Sequence, residues 1–210
     1  MPKRITLIPG DGIGPEVTAA AVQLLEAAGA DLEWEEVEAG LGVVSKYGKP
    51  LPDQVLESIQ KNKVALKGPL TTAVGTGFPS ANVELRQKLN LFASLRPVAN
   101  VPGIESRFGE VDIIVVRENT EGLYSGLEHT ITAGVTQSLK IITLEASSRI
   151  AHFAFEYASK WNRKKVTTAH KANILKISDG LFLKTCQEVA REYPDILHED
   201  IIVDNLALQL

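Results

Sequence analysis

Short apolar runs alternate with helical patterns along most of this chain, and that alternation limits what it can fold into. ITLIPG (Ile5–Gly10) reads as a buried strand and TAAAVQLLEAAGA behind it as a helix. Pro15 suits the first turn of that helix, where a missing N–H costs nothing. LEWEEVEAG (Leu32–Gly40) is a second strand, PDQVLESIQKN (Pro52–Asn62) a short helix and VALKGPL a third strand. DIIVVREN is a buried strand carrying Arg117 at its end. EASSRIAHFAFEYASKW (Glu145–Trp161) places Ile150, Phe153, Ala154 and Tyr157 on one helical face. KKVTTAH is a strand ending at His170 and Lys171. ANILKISDGLFLKTCQEVAREY is a long helical pattern stopped by Pro194, and DIIVDNLALQL closes as a strand running into a helix start. Parallel strands need such crossovers, so the pattern predicts a layered α/β fold with a largely parallel sheet. ANVPGIESRFGE breaks the periodicity at Pro102, Gly103 and Gly109, which divides the chain into domains 1–99 and 100–210.

Within residues 123–143, EHTITAGVTQSLKIIT reads as a hairpin with Gly134 near its turn. Its Thr, Val and Ile have little long-range cover. Such an arm either pairs with a second chain or folds onto its own subunit.

At 44% hydrophobic and 23% charged, 210 residues can bury a real core. The formal charge of −4, with Lys and Arg scattered, gives no basic footprint and argues against nucleic acid as a partner. The single cysteine, Cys186, rules out a disulfide framework within the chain, and its apolar surroundings read as core filler. No apolar run is long enough to cross a bilayer. The N-terminus enters a strand with no signal or transit pattern, so a cytoplasmic protein is expected.

Two loops and a set of charged residues carry the chemistry. Gly10, Gly12 and Gly14 give G-x-G-x-G, not the G-x-G-x-x-G of a dinucleotide loop, and Asp11 would set a carboxylate beside any pyrophosphate. A tight strand-to-helix turn and a cofactor contact both remain open there. The segment Lys67–Val98 opens as a Gly- and Thr-rich loop, continues as a helix that Ser80 or Asn82 would cap, and ends in LFASLRPV, read as a buried strand stopping at Arg96 before Pro97. Arg86 and Arg96 suit a small molecule with several carboxylates, because guanidinium binds carboxylate through a planar fork. Surface ion pairs are the alternative. Arg117, Lys171 and Asp204 each fall at or just past the end of an apolar strand, where open α/β folds bind ligands. Asp204 is a hard oxygen donor that suits Mg²⁺ or Mn²⁺, although one carboxylate is not a metal site. Tyr124 and Lys171 form a plausible proton-transfer pair, and a lysine set among arginines and a metal would have its charged form disfavoured. The four histidines show no metal-ligand spacing, and no nucleophile-elbow or P-loop motif occurs.

In sequence order, GDGIGPEV, KGPLTT, SANVELRQ, LRPV, RENTEGLYSG, HKANILKISDG and IVDN resemble the motifs of the β-decarboxylating dehydrogenases, which act on isocitrate, isopropylmalate, homoisocitrate and tartrate. The resemblance implies an isopropylmalate dehydrogenase-like two-domain fold, not a Rossmann fold, with GDGIGPEV lining the cofactor cleft. It implies that Arg86, Arg96 and Arg117 bind the malate carboxylates, that Tyr124 protonates the enolate and that Lys171 handles the C2 hydroxyl proton. Asp204 would ligate Mg²⁺ or Mn²⁺, and Thr71 and Asn173 would contact the nicotinamide of NAD, with NADP the alternative. Ser80 and Asn82 fall where the variable substrate group binds; short polar side chains there suit the third carboxylate of isocitrate, with homoisocitrate next. The hairpin would be an intersubunit clasp, in a homodimer where Lys171 and Asp204 serve the neighbouring subunit's site. Relatives continue beyond the point matching Leu210, so the resemblance implies a fold incomplete at its C-terminus and little activity for this chain alone.

Overall fold

The first strand, β1 (Lys3–Ile8), is the middle of a three-stranded parallel sheet in the order β2–β1–β3, with β2 at Leu32–Glu36 and β3 at Ala65–Lys67. Helix α1 (Gly14–Ala27) has Pro15 in its first turn and connects β1 to β2. A 3-10 turn (Leu41–Val43), α2 (Val44–Tyr47) and α3 (Asp53–Asn62) lead to β3, and α4 (Ala81–Lys88) follows. The computed structural model describes residues 2–73, 75 and 77–210; Val74 and Thr76 of the Gly-rich loop lie outside the described residues. The chain divides into two compact units, Met1–Asn90 and Leu91–Leu210.

In the first unit, Ile8, Leu51 and Val55 are wholly shielded from water and pack with Leu70, Ala81 and Leu85. Burying each large aliphatic side chain contributes about 1.5–3 kcal/mol. Thr6, also buried, shares a hydrogen bond with Ser58 of α3 at 2.8 Å and accepts a second from the Asn62 amide at 3.0 Å. This network satisfies the polar groups that the packing of α3 on β1 would otherwise strand.

The second unit contains β4 (Ala93–Ala99) and β5 (Asp112–Glu118), an antiparallel pair. Because β4 pairs with β5, it belongs to this unit, and the division falls after Asn90 rather than at 99/100. Two expectations change here. β4 runs through Pro97 instead of stopping at Arg96, and most of its residues are exposed; β5 is half-buried rather than buried. A strand bonded on one side only tolerates a proline, which has no N–H to place in a ladder. A 3-10 turn (Leu123–Ser125) follows, then the hairpin β6 (Glu128–Thr132) and β7 (Val135–Ser138), exposed at every residue, with Gly134 left-handed at φ 78°.

Next come α5 (Leu144–Lys160), β8 (Lys165–His170), α6 (Ser178–Ala190), β9 (Leu197–Ile202) and α7 (Val203–Gln209), with β8 and β9 parallel. The deeply buried positions of α5 include Ile150, Ala151, Phe155 and Ala158; Phe153, Ala154 and Tyr157 are only partly covered. The helix serves two neighbours. Phe155 stacks on Tyr193 and packs with Cys186 and Val189 of α6, while Phe153 meets Phe92 edge-on at 6.0 Å. The long pattern after Lys171 also shortens, because residues 172–177 form turns and α6 begins only at Ser178. Cys186 is buried as expected, and burial pushes its thiol pKa up to about 11. Among the described residues no helix is long and apolar enough to cross a membrane.

Candidate active site

In the first unit, the loops after β1 and β3 meet at the carboxyl ends of their strands. Gly68 donates its N–H to Ile8 O at 2.7 Å and Asp11 donates to Pro69 O at 3.1 Å. That approach requires glycine: a Cβ on Gly10, at φ +85°, would lie 1.9 Å from Pro69 O. The Asp11 carboxylate then accepts the Thr71 N–H at 2.6 Å and the Leu41 N–H at 2.7 Å. Burial pushes its pKa up, but these bonds push it down further, and the net is below the ordinary value. The G-x-G-x-G loop is therefore a structural turn whose carboxylate is spent on the protein's own backbone.

Thr71, exposed, is thus fixed through its backbone, and its neighbour Thr72 shares a hydrogen bond with Ser80 at 3.1 Å. Ser80 holds the N-cap position of α4 in extended geometry, but its hydroxyl caps nothing and faces Thr72 instead. Asn82 and Arg86, four residues apart and both half-buried, lie on one side of α4. Sequence reasoning missed Lys67. Its ammonium donates to Gly68 O at 2.7 Å, and burial first, then the positive charge of Arg86, push its pKa below the usual lysine value against the pull of Asp11.

The second unit holds two further groups. In the β4–β5 register Ser94 faces Arg117 and Arg96 faces Val115, so Arg96 and Arg117 are diagonal neighbours on one face. The Arg117 guanidinium lies over the Tyr124 ring at 4.5 Å, a cation–π contact. Among the described residues, no carboxylate comes within ion-pair range of Arg86, Arg96 or Arg117, whereas Arg149 and Arg163 each have one and Arg4 has two. Within the described residues neither Arg86 nor Arg96 forms a surface ion pair. The loop between Arg117 and Tyr124 is pinned by Glu118, another residue that sequence reasoning missed. Its carboxylate accepts the N–H of Thr120 and of Glu121, the Thr120 hydroxyl and the Arg149 guanidinium. Burial acts to raise the Glu118 pKa, and these bonds together hold it below the usual carboxylate range.

The second group stands at the carboxyl ends of β8 and β9. Lys171, just past β8, is ion-paired to Asp204 in the first turn of α7. That hydrogen bond from Lys171 holds the exposed Asp204 below its ordinary pKa. The neighbour of Lys171 is thus a carboxylate rather than the arginines that sequence reasoning placed there. Asn173 is exposed in the following turn. Among the described residues no three His, Cys, Asp or Glu side chains gather as a metal cage, so Asp204 offers a single oxygen donor.

Comparison with known proteins bears on all of these groups. The family model for isocitrate/isopropylmalate dehydrogenase matches residues 4–210. Regulatory subunit 2 of the mitochondrial NAD isocitrate dehydrogenase of Arabidopsis thaliana is 56% identical over the whole chain, which spans 56% of that protein. Catalytic subunit 5 of the same organism is 48% identical, with 100% of this chain and 56% of that protein covered. The chloroplastic 3-isopropylmalate dehydrogenase of Solanum tuberosum is also 48% identical, over 99% of this chain and 58% of its own length. The crystal structure of isocitrate dehydrogenase from Methylococcus capsulatus superposes with a TM-score of 0.95 at 50% identity, over all of this chain and 62% of that one. The chain thus spans a little over half the length of the curated relatives it matches. These findings overturn the cytoplasmic expectation, because relatives at 51–56% identity are mitochondrial by name. A homodimer is likewise not what those names describe, since they distinguish regulatory from catalytic subunits.

Proposed function

The chain belongs to the isocitrate/isopropylmalate dehydrogenase family, and on that premise we propose that the protein carrying it acts in the NAD-linked oxidative decarboxylation of isocitrate. The observation that carries this reading is the unneutralised pair Arg96 and Arg117, diagonal on one sheet face with Tyr124 beneath Arg117. Two guanidinium forks side by side are built for carboxylates, and among the described residues no carboxylate pairs with them, although Arg96 Nε donates to the Ser94 hydroxyl at 3.4 Å. Arg86, on α4, takes a further carboxylate. Ser80 and Asn82 supply hydrogen bonds to the group at C3. The hydroxyl pair Thr72–Ser80 supports a polar ligand there, since an isopropyl group would leave those polar atoms unpaired.

NAD, when bound, would supply the acceptor for the hydride lost from C2. In this reading Thr71 and Asn173 are the residues that would contact its nicotinamide, and the bond that the Thr71 N–H gives to the Asp11 carboxylate keeps the Thr71 backbone in register. Lys171 takes the C2 hydroxyl proton, and Tyr124 returns a proton to carbon after CO₂ leaves. Asp204 would hold a Mg²⁺ or Mn²⁺ ion through one oxygen, the single carboxylate that the described residues offer it. Lys171 and Asp204 act at the site of a neighbouring subunit, either a second copy or a related chain, and the exposed hairpin β6–β7 is the arm that pairs with it.

A second reading has an observation of its own, since the regulatory relatives reach 51–56% identity against 48% for the catalytic ones. There the same residues bind tricarboxylate without turnover. The test supplies the whole protein with Mn²⁺, NAD and isocitrate, and in parallel with homoisocitrate, 3-isopropylmalate or NADP. NADH formation with the highest kcat/KM for isocitrate supports the first reading, and a higher value for another substrate overturns it. Calorimetric binding of isocitrate without NADH, lost in Arg117→Ala, selects the regulatory reading; neither binding nor turnover overturns both.

A further inference from the structure

Asp179 is buried, at 5% exposure, in the first turn of α6. An aspartate there ordinarily caps its own helix. This one does not: the N-cap position is Ile177, and no side chain caps the helix. Both carboxylate oxygens are spent elsewhere. Oδ2 accepts the backbone N–H of Lys171 at 2.8 Å, and Oδ1 is ion-paired to Lys140. A carboxylate taken out of water is costly unless fully paired, so this placement needs a reason.

The neighbouring bonds supply one. The Lys171 carbonyl accepts the N–H groups of Ile174 and Leu175 at 3.0 and 2.9 Å, and His170 Nδ1 accepts the Ala172 N–H at 3.0 Å. With Asp179 on its N–H, the Lys171 backbone is held on both sides, and only its side chain is left to reach Asp204. Lys140 stands between two tethered residues. Leu139 donates to Leu127 O at 2.9 Å, and Ile141 and Gly122 exchange backbone bonds. These bonds lay the segment along the 122–127 stretch that carries Tyr124.

We propose that Asp179 is a positioning residue that fixes the Lys171 turn and, through Lys140, joins it to the segment backing Tyr124. The proposal rests on reading Lys171 as a proton carrier.

The test compares Asp179→Ala, Asp179→Asn, Lys140→Met and Lys171→Met in the whole protein, by amide hydrogen exchange and by steady-state kinetics. Asp179→Ala should speed exchange at Lys171 by about tenfold or more, the loss of a bond to a charged acceptor, while Val166–Ala169 in β8 stay protected. It should also lower kcat by about a hundredfold with KM for isocitrate nearly unchanged, the signature of a displaced proton carrier. Asp179→Asn keeps a carbonyl oxygen for the Lys171 N–H, so it should retain that protection and recover most of kcat. If Asp179→Ala does not fold, Asp179→Asn and Lys140→Met decide: exchange should rise at Lys140 and Ile141 while Lys171 stays protected. Unchanged exchange at Lys171 in Asp179→Ala, or at Ile141 in Lys140→Met, overturns the proposal. Should Lys171→Met abolish turnover while Asp179→Ala leaves kcat intact, this inference alone fails. Should Lys171→Met leave kcat intact, the assigned role of Lys171 fails and the proposal with it.

Discussion

Replacing Asp11 should destabilise the first unit far more than an exposed aspartate normally would. Its carboxylate takes the Leu41 N–H at 2.7 Å and the Thr71 N–H at 2.6 Å, which tie the loop after β1 to two segments 30 and 60 residues away. Each hydrogen bond to a charged group is worth about 1.5–3 kcal/mol. Asp11 is only half-buried, so water recovers part of that loss, and Asp11→Ala should cost about 2–4 kcal/mol. Asp11→Asn keeps one acceptor oxygen and should cost about half as much. Gly40→Ala should reproduce the effect from the other side, since its Cβ would fall 2.3 Å from Asp11 Oδ2 at a backbone φ of +113°. The pH dependence has a definite sign. The folded pKa of Asp11 lies below its ordinary 3.8, so this stabilisation is fully present above that value and is lost as pH falls through the folded one. The assay is urea unfolding in a Trp161→Phe background, which leaves Trp34 of β2 as the only tryptophan of the two. A loss below about 0.5 kcal/mol for Asp11→Ala, the range of ordinary surface substitutions, would refute the reasoning.

Phe155, 1% exposed and stacked on Tyr193 at 5.2 Å, fills the centre of the second unit. Phe155→Ala should cost about 3–5 kcal/mol in urea unfolding followed by circular dichroism, and a cost under about 1 kcal/mol would mean that Phe155 is not the keystone of that core. Burial pushes the His198 pKa below its ordinary 6.5, against the pull of Asp200 and Glu199, and its Nε2 lies 2.9 Å from the Thr168 hydroxyl. Its contribution to stability is present above pH 6.5 and lost as pH falls through the folded value; urea midpoints at neutral and mildly acidic pH should therefore diverge less in His198→Gln than in the parent.

The elements that sequence reading found most surely are those whose apolar residues feed one core. β1 and α3 were legible because Ile8 and Val55 meet in a single cluster. α5 was misread because it has two faces in use, and Phe153 and Phe155, two residues apart, cannot share one of them. LFASLRPV was read as buried on its apolar content, but β4 is a strand bonded on one side, which its composition alone does not reveal. At the site, charged residues at strand ends drew attention because charge there is unusual. Lys67, Glu118 and Asp179 did not, and Asp11 drew it only as a carboxylate set beside a pyrophosphate; a carboxylate that serves backbone N–H groups looks, in sequence, like any solvated one. A short-range signal was present for two of the carboxylates: Asp11 sits inside a glycine turn, and Asp179 lies in the first turn of a helix that shows no other cap.

Arg86, Arg96 and Arg117 can be weighed against the rest of the chain's charge. Acidic residues outnumber Lys and Arg by 26 to 22, so no shortage of carboxylates explains why Arg86, Arg96 and Arg117 have none in ion-pair range among the described residues. Arg149 and Arg163 show what the same fold does with arginines that it needs for itself: the first meets Glu118 and Thr120, the second forks onto both oxygens of Asp112. Arg96 and Arg117 stand close enough on one sheet face for their charges to repel, a cost that grows wherever water is excluded. A face kept in that state is stabilised by whatever brings negative charge to it. Lys171 and Asp204 are arranged the other way, as a neutral pair at a strand end. Among the described residues the chain therefore leaves charge uncompensated on the sheet face that carries Arg96 and Arg117, and keeps Lys171 in balance with a carboxylate beside it.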